Sequence, residues 1–273
     1  MALTSTSAER IREIREKQEK YFRSGATLDA STRKASLKAF ERAVLKWEKP
    51  LCDALRADLH KSYEEAYLTE VSILLGEIRT HIRKIGEWSR PKRKGTPLKL
   101  FPSTSRIISE PLGTALIISP WNYPVQLLLT PLVGAISSGC TAVLKPSPYV
   151  PTVSKVIEDM IADTFPEDYV AVTQGHRDVN AALLEQRWDI IFFTGSPSLG
   201  RLVMASAARN LTPVVLELGG KSPCIIDKDA DIRTAARRVA WGKSLNAGQT
   251  CIAPDYLMLH KDIKDKFLVA LRE

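Results

Sequence analysis

TALIIS (114–119), TAVLK (141–145), YVAVT (169–173) and DIIFFT (189–194) are four short apolar runs, each separated from the next by a helix-length segment. Runs of this kind alternating with helices predict βαβ units around a parallel sheet buried on both faces. The expected class is α/β. Ligand sites in such sheets lie beyond the carboxyl ends of the strands. The unusual residues of this sequence stand there, at Pro120–Pro124, Lys145–Ser147 and Thr194–Ser196.

Upstream of these runs, as far as about Arg90, the pattern is helical. It is clearest where Leu68, Val71, Leu74, Leu75, Ile78, Ile82 and Ile85 repeat at three- and four-residue spacing. Pro50 opens PLCDALRADLH and suits the first turn of a helix, where its missing N–H has no intrahelical partner. Residues 90–108, RPKRKGTPLKLFPSTSRII, break this character with three prolines and a glycine, and read as a linker or a β-ribbon leaving the domain. Downstream, PVVLELGG (213–220) and SPCIID (222–227) read as strands that begin a second domain. The expected divisions are 1–89 with 109–210, the ribbon 90–108, and 211–273. The last stretch is short for an independent core. The amphipathic segment DIKDKFLVALRE runs to the final residue without a cap, so the sequence reads as cut off.

Hydrophobic residues make up 44% and charged residues 26% of the 273, ordinary values for a globular protein and unlike those of disordered chains. A net charge of +8 raises the question of nucleic acid. Much of the excess lies on the N-terminal helices and at Arg90, Lys92, Arg93 and Lys94, without aromatic interleaving, so solvated helix faces explain it and no nucleic-acid partner is expected. Cys52, Cys140, Cys224 and Cys251 form no CxxC pair or Cys/His cluster, which predicts free thiols in a reducing compartment and no metal site. The N-terminus has no apolar core of a secretory signal and carries Glu9, Glu13, Glu16 and Glu19. Pro120, Pro124 and Pro131 interrupt the most hydrophobic stretch, so no transmembrane anchor is expected within the chain, and the cytoplasm is the default compartment.

Five places combine residue types that suit chemistry. GSPSLG (195–200) follows an apolar strand and precedes the helical RLVMASAARN. Gly195 would let a backbone approach a pyrophosphate at a helix N-terminus, although paired glycines also serve close packing. Lys145 follows a strand, where an ammonium can reach a ribose or phosphate or simply meet solvent. Cys251 in NAGQTCIAPDY has small and polar neighbours that leave space around its sulfur, whereas Cys140 and Cys224 are flanked by apolar residues and are expected to be buried. Glu217 ends a strand that looks buried, where desolvation would make it a better proton acceptor; the alternative is an ion pair with Lys221 or an arginine. Asn122, held between Trp121 and Tyr123 in PWNYP, is a preorganised oxyanion donor or an ordinary turn residue.

Together PWNYP, LKPS, FTGS followed by Gly200, ELGGKSP and GQTC resemble the aldehyde dehydrogenase superfamily, in its order and at its approximate separations, and ELGGKSPC with GQTCIAPDY is most similar to the class 3 branch. The resemblance implies a Rossmann-like cofactor domain with N-terminal helices, followed by the incomplete start of an α/β catalytic domain. It implies Cys251 as nucleophile, Glu217 as general base and Asn122 as oxyanion amide. Lys145, Ser147, Gly195, Ser196, Gly200, Leu218 and Gly219 would hold NAD or NADP. The substrate would be a small aldehyde, and residues 90–108 would serve oligomerisation, with a homodimer for the full-length parent.

Two departures from that family pattern bear on function. Pro148 occupies a position where many members carry a glutamate that binds both ribose hydroxyls. Its absence removes a charge that would repel a 2′-phosphate, so NADP is expected to be tolerated or preferred. A counterpart of the family's EIFGP-like segment is also missing. The competing readings are therefore an inactive fragment or cofactor-binding remnant, and a thiol-based esterase or acyl transferase.

Overall fold

The helical periodicity before residue 90 resolves into α1 (Ala8–Arg23), α2 (Ala30–Lys46), α3 (Glu48–Leu59), a single turn α4 (Tyr63–Ala66) and α5 (Ser72–Trp88). The computed structural model describes residues 4–273. Ser7, Asp29 and Ser62 cap α1, α2 and α4 by accepting the N–H groups of Arg10, Thr32 and Glu65, donors that have no partner inside the helix. Pro50 sits in the first turn of α3. The apolar stripe departs from expectation at its start. Tyr67–Val71 form a π-turn between α4 and α5, and its i→i+5 hydrogen bonds widen the backbone. Leu68 consequently faces solvent, while Glu70 and Val71 are buried with Leu74, Leu75, Ile78 and Ile85.

Residues 90–108 form the expected ribbon. β1 (Lys92–Lys94) pairs antiparallel with β2 (Ser105–Ile107), placing Lys92 opposite Ile107. Thr96 Oγ1 accepts the Ser105 N–H at 2.9 Å, and Leu98 and Phe101 at the tip are exposed.

Each quoted apolar run becomes a strand: β3 (Thr114–Ile118), β4 (Thr141–Lys145), β5 (Val170–Val172) and β6 (Ile190–Gly195). Helices α6 (Pro124–Ser138), α7 (Pro151–Thr164) and α8 (Arg177–Glu185) make the crossovers, and α9 (Pro197–Ala208) leads to β7 (Val214–Leu218). The strand order is β5-β4-β3-β6-β7, with β3 parallel to both β4 and β6. Successive side chains point to opposite faces. Ala115, Ile117, Ala142, Leu144 and Val170 join a core with α2, α3, α5, α6 and α7. Leu116, Ile118, Val143, Ala171, Ile191 and Phe193 join a second core with α1, α8 and α9. The chain first moves outward from β3 to β5, then returns to the other side of β3. The strand order therefore switches between β3 and β6, the place where open α/β sheets bind ligands.

β7 differs from the sequence expectation, which gave PVVLELGG to the start of a second domain. It is the edge strand beside β6, and Val214 and Leu216 pack on the second core. An edge strand covered on one face carries few fully buried side chains, so its sequence does not tie it to the buried strands before it.

By compactness the chain divides into Met1–Thr194 with Ser198–Leu216, and Gly195–Pro197 with Glu217–Glu273. The second unit contains β8 (Pro223–Ile226), α10 (Ile232–Ser244), β9 (Tyr256–Leu259) and α11 (Lys264–Arg272), with β8 parallel to β9. Ile226, Ala236, Val239, Ile263 and Phe267 form its small core. Among the described residues no helix is long and apolar enough to cross a membrane.

Candidate active site

The PWNYP segment leaves the carboxyl end of β3 and enters α6 at Pro124, whose fixed φ suits a first helical position. The N-cap residue Tyr123 makes no side-chain capping bond to this helix. Glu70 caps it from the π-turn: its Oε2 accepts the N–H groups of Val125 at 2.8 Å and Gln126 at 3.3 Å. Its Oε1 accepts from Lys61 Nζ at 2.6 Å. The same ammonium donates to the Asn122 carbonyl at 3.2 Å and lies 4.2 Å from the Tyr123 ring centroid. Both charged side chains are buried, and burial raises the Glu70 carboxyl above the usual carboxylate range, against the opposing pull of Lys61 and the two amides. Sequence reasoning passed over this pair. The available signal was a glutamate four residues before Leu74, on the apolar side of a helix.

Lys145 ends β4 and is 1% exposed, so it is not the solvated strand-end lysine that its position also allowed. Its Nζ donates to the Pro146 carbonyl at 2.8 Å, and burial pulls the ammonium down to about 8. Ser147 is buried and closes the entry to α7, its carbonyl accepting from Ser154 Oγ at 2.8 Å. Ser119 N–H donates to the Lys145 carbonyl at 3.2 Å and brings the ends of β3 and β4 together. Ser119 Oγ, Gln174 Oε1 and Thr194 Oγ1, at the carboxyl ends of β3, β5 and β6, are buried and have no hydrogen-bond partner among the described residues. Unanswered polar atoms are costly. A buried ammonium and unanswered polar atoms at the carboxyl ends of one parallel sheet suit a polyhydroxylated phosphate ester such as a dinucleotide.

In the second unit, Gly195 and Gly219 are joined by a 3.3 Å hydrogen bond from the Gly219 N–H to the Gly195 carbonyl. Ser196 is exposed. Gly200 is placed differently from expectation: α9 begins at Pro197, so Gly200 lies buried in the helix rather than in the turn before it. Pro197 explains the earlier start, being favoured at a first helical position. Glu217 is also placed differently: β7 alternates between half-buried and exposed residues as far as Glu217, which falls on the exposed face, and Leu218 at the strand's end is exposed as well, although on the opposite face. Lys221, the ion-pair partner weighed for it, pairs instead with Asp255 at 3.2 Å.

Cys251 is exposed on a turn that follows an unusual run of backbone. Asn246, Ala247 and Gly248 have φ of 51°, 52° and 77°, a conformation that costs an L-residue roughly 1–2 kcal/mol. Reciprocal hydrogen bonds hold it: Asn246 Nδ2 to the Gln249 carbonyl at 3.3 Å, and Gln249 Nε2 to the Asn246 carbonyl at 3.0 Å. Asp255 N–H donates to the Ser222 carbonyl at 3.0 Å and ties the far side of the turn to β8. Strain held in this way fixes a side chain in space. Cys52 and Cys140 are buried, whereas Cys224, expected to be buried, is half-buried on β8, next to the exposed Ile225.

Known proteins share this fold. The model of the aldehyde dehydrogenase family matches residues 1–273. The chain belongs to that family. It is 44% identical over 92% of its length to the 4,4'-diaponeurosporen-aldehyde dehydrogenase of Staphylococcus aureus, covering 55% of that protein. It is 43% identical to the human aldehyde dehydrogenase family 3 member B1, over 92% of this chain and 54% of that one. With the dimeric NADP-preferring aldehyde dehydrogenase of Canis lupus familiaris it shares 40% identity, over 97% of this chain and 58% of that one. These relatives place it with the class 3 branch of the family. The substrate-bound AldH of Staphylococcus aureus superposes with a TM-score of 0.94 at 42% identity, over 96% of this chain and 57% of that one. A betaine aldehyde dehydrogenase from Staphylococcus aureus in complex with NAD+ superposes with a TM-score of 0.90 at 29% identity, over 98% of this chain and 54% of that one. The chain thus spans about half the length of the family members it matches.

Proposed function

We propose that the chain oxidises a small aldehyde to a carboxylic acid with NAD or NADP, using Cys251 as nucleophile. The observation that carries this reading is the exposed thiol of Cys251 beyond a backbone run strained into the left-handed region. The Cys251 sulfur forms a bond to the aldehyde carbon, and the carbonyl electron pair moves onto oxygen, where the Asn122 amide and the Cys251 backbone N–H donate to it. Bound NAD(P) supplies the acceptor for the hydride that the carbon gives up. The resulting thioester is hydrolysed by water that transfers a proton to Glu217, releasing the acid and restoring the thiolate. The exposure of Glu217 suits this last step, because its carboxylate is open to water.

Lys145, Ser147, Gly195, Ser196, Leu218 and Gly219 are proposed to hold the dinucleotide, with Gly200 supporting the turn from inside α9. The unanswered atoms of Ser119, Gln174 and Thr194 support a polar ligand at the strand ends. Pro148 in place of a ribose-binding carboxylate favours acceptance of a 2′-phosphate. The ribbon's exposed Leu98 and Phe101 support a role in pairing two copies. We also propose that residues 1–89 and 109–216 serve the cofactor, that 217–273 opens the catalytic domain, and that the protein acts in the cytoplasm.

A second reading, cofactor binding without turnover, is favoured by the small core of the second unit and by the exposure of Ile225 and Met258 on its strands. Purified protein given medium-chain and aromatic aldehydes with NAD or NADP distinguishes the two. Reduced nicotinamide should accumulate and Cys251→Ala should abolish it. Cofactor binding by a folded protein with no turnover for any aldehyde would overturn the first reading in favour of the second.

A further inference from the structure

We propose that Lys61 and Glu70 are positioning residues that fix the backbone of Asn122–Gln126 and so aim the Asn122 amide. The inference rests on the oxyanion role proposed for Asn122. The two side chains are 1% and 0% exposed and bond to each other at 2.6 Å. A buried ion pair is not needed for stability, since well-packed apolar residues of similar volume commonly serve as well or better. What this pair has, and apolar residues would not, is a set of directed contacts to one short segment. Lys61 Nζ holds the carbonyl of Asn122 and lies over the ring of Tyr123, while Glu70 Oε2 holds the N–H groups of Val125 and Gln126. The peptide plane after Asn122 and the first turn of α6 are thereby fixed from opposite ends. The chain reaches this geometry through the π-turn Tyr67–Val71, a form that recurs at functional sites. Catalytic donors must stand within a fraction of an ångström of the developing charge, and a misplacement of about 1 Å can cost on the order of 10²-fold in rate.

The test uses Lys61→Met/Glu70→Leu, which replaces the pair with apolar side chains and leaves no buried charge alone. Circular dichroism and the melting temperature report folding. A folded double variant should lose kcat by about 10- to 100-fold while KM for aldehyde and the dissociation constant for cofactor move less than about twofold. Asn122→Ala added to it should cost far less than in the parent. Hydrogen exchange of the Val125 and Gln126 amides, read by NMR, should accelerate while the amides of β4 keep their protection. Exchange is independent of turnover, so an inactive parent would refute the proposed function and still leave the positioning role tested. A folded double variant with parental kcat, or in an inactive parent with unchanged exchange at Val125 and Gln126, would overturn the proposal. Should the double variant fail to fold, Lys61→Met, which removes the donor to the Asn122 carbonyl and leaves Glu70 free to take up a proton, takes its place: kcat should fall, and in an inactive parent the Tyr123 amide, which shares that peptide plane, should exchange faster, with no change in either overturning the proposal.

Discussion

Asp189 closes over Gly113. Its Oδ2 accepts the Thr114 N–H at 2.7 Å and the Thr114 hydroxyl at 3.0 Å, which ties the start of β3 to the residue just before β6. A Cβ on Gly113 would collide with that carboxyl, and the φ of 140° excludes most L-residues independently. The two strands joined here flank the switch in strand order. Gly113→Ala should destabilise the fold by about 1–3 kcal/mol, the range of overpacking strain. Urea denaturation checks this, and an unchanged midpoint would refute it.

The buried Lys145 gives stability a pH dependence of definite sign. Its folded value is about 8 against an ordinary 10.5. Between these values the unfolded chain binds more protons, so this residue's contribution to stability rises with pH. Below about 8 the full cost of burying the charge is present, roughly 3 kcal/mol, and above about 10.5 it is gone. Lys145→Met should therefore be more stable than the parent near neutral pH, with an advantage that shrinks towards pH 10. Paired denaturation curves at several pH values measure the difference, and an advantage independent of pH would contradict it.

Thiol accessibility should sort the cysteines. Cys251 is exposed, whereas burial, with Glu48 nearby, pushes the Cys52 thiol up to about 11. Only thiolates alkylate quickly. Brief treatment with iodoacetamide followed by peptide mass spectrometry should label Cys251 first and leave Cys52 and Cys140 unlabelled until the chain is unfolded. Early labelling of Cys52 would contradict the packing of α3.

Asn122→Ala should lower turnover by about 10²–10³, the usual cost of one oxyanion donor, and leave the melting temperature close to that of the parent. The backbone contacts of this segment run to Lys61 and Glu70 and do not depend on the Asn122 side chain. A melting temperature that falls together with activity would make Asn122 a structural residue.

Pro148→Glu restores the carboxylate that many family members use. It should tighten NAD binding and weaken NADP binding, because the new charge repels a 2′-phosphate. Titrations of both cofactors with parent and variant give the comparison, and strict NAD preference in the parent would refute the reading of Pro148.

The sheet was legible because its four runs are near-continuously apolar, and β3 and β4 at its middle are buried on both faces, a pattern that a strand at a surface cannot imitate. β7 was misplaced for the complementary reason, since its half-exposed alternation says nothing about which sheet it joins. The motif residues of the candidate site were legible from local composition: Lys145 is the last residue of β4, and Asn122 lies just beyond β3. Their surroundings were not. The burial of Lys145 depends on how the elements around β4 pack, and the Lys61–Glu70 pair depends on one irregular turn. Neither long-range packing nor a change from i→i+4 to i→i+5 bonding leaves a period in the sequence.

The π-turn also makes this part of the chain more tolerant of altered residues than of altered length. Successive α-helical residues are about 100° apart. Deleting one residue from Tyr67–Val71 would let the segment anneal into continuous α-helix, with its downstream apolar face still held by Leu74, Leu75 and Ile78. The correction would fall on the upstream side, swinging Glu70 away from the start of α6. Natural variation in the family should therefore conserve the spacing between this turn and α5 more strictly than the identity of the exposed Leu68.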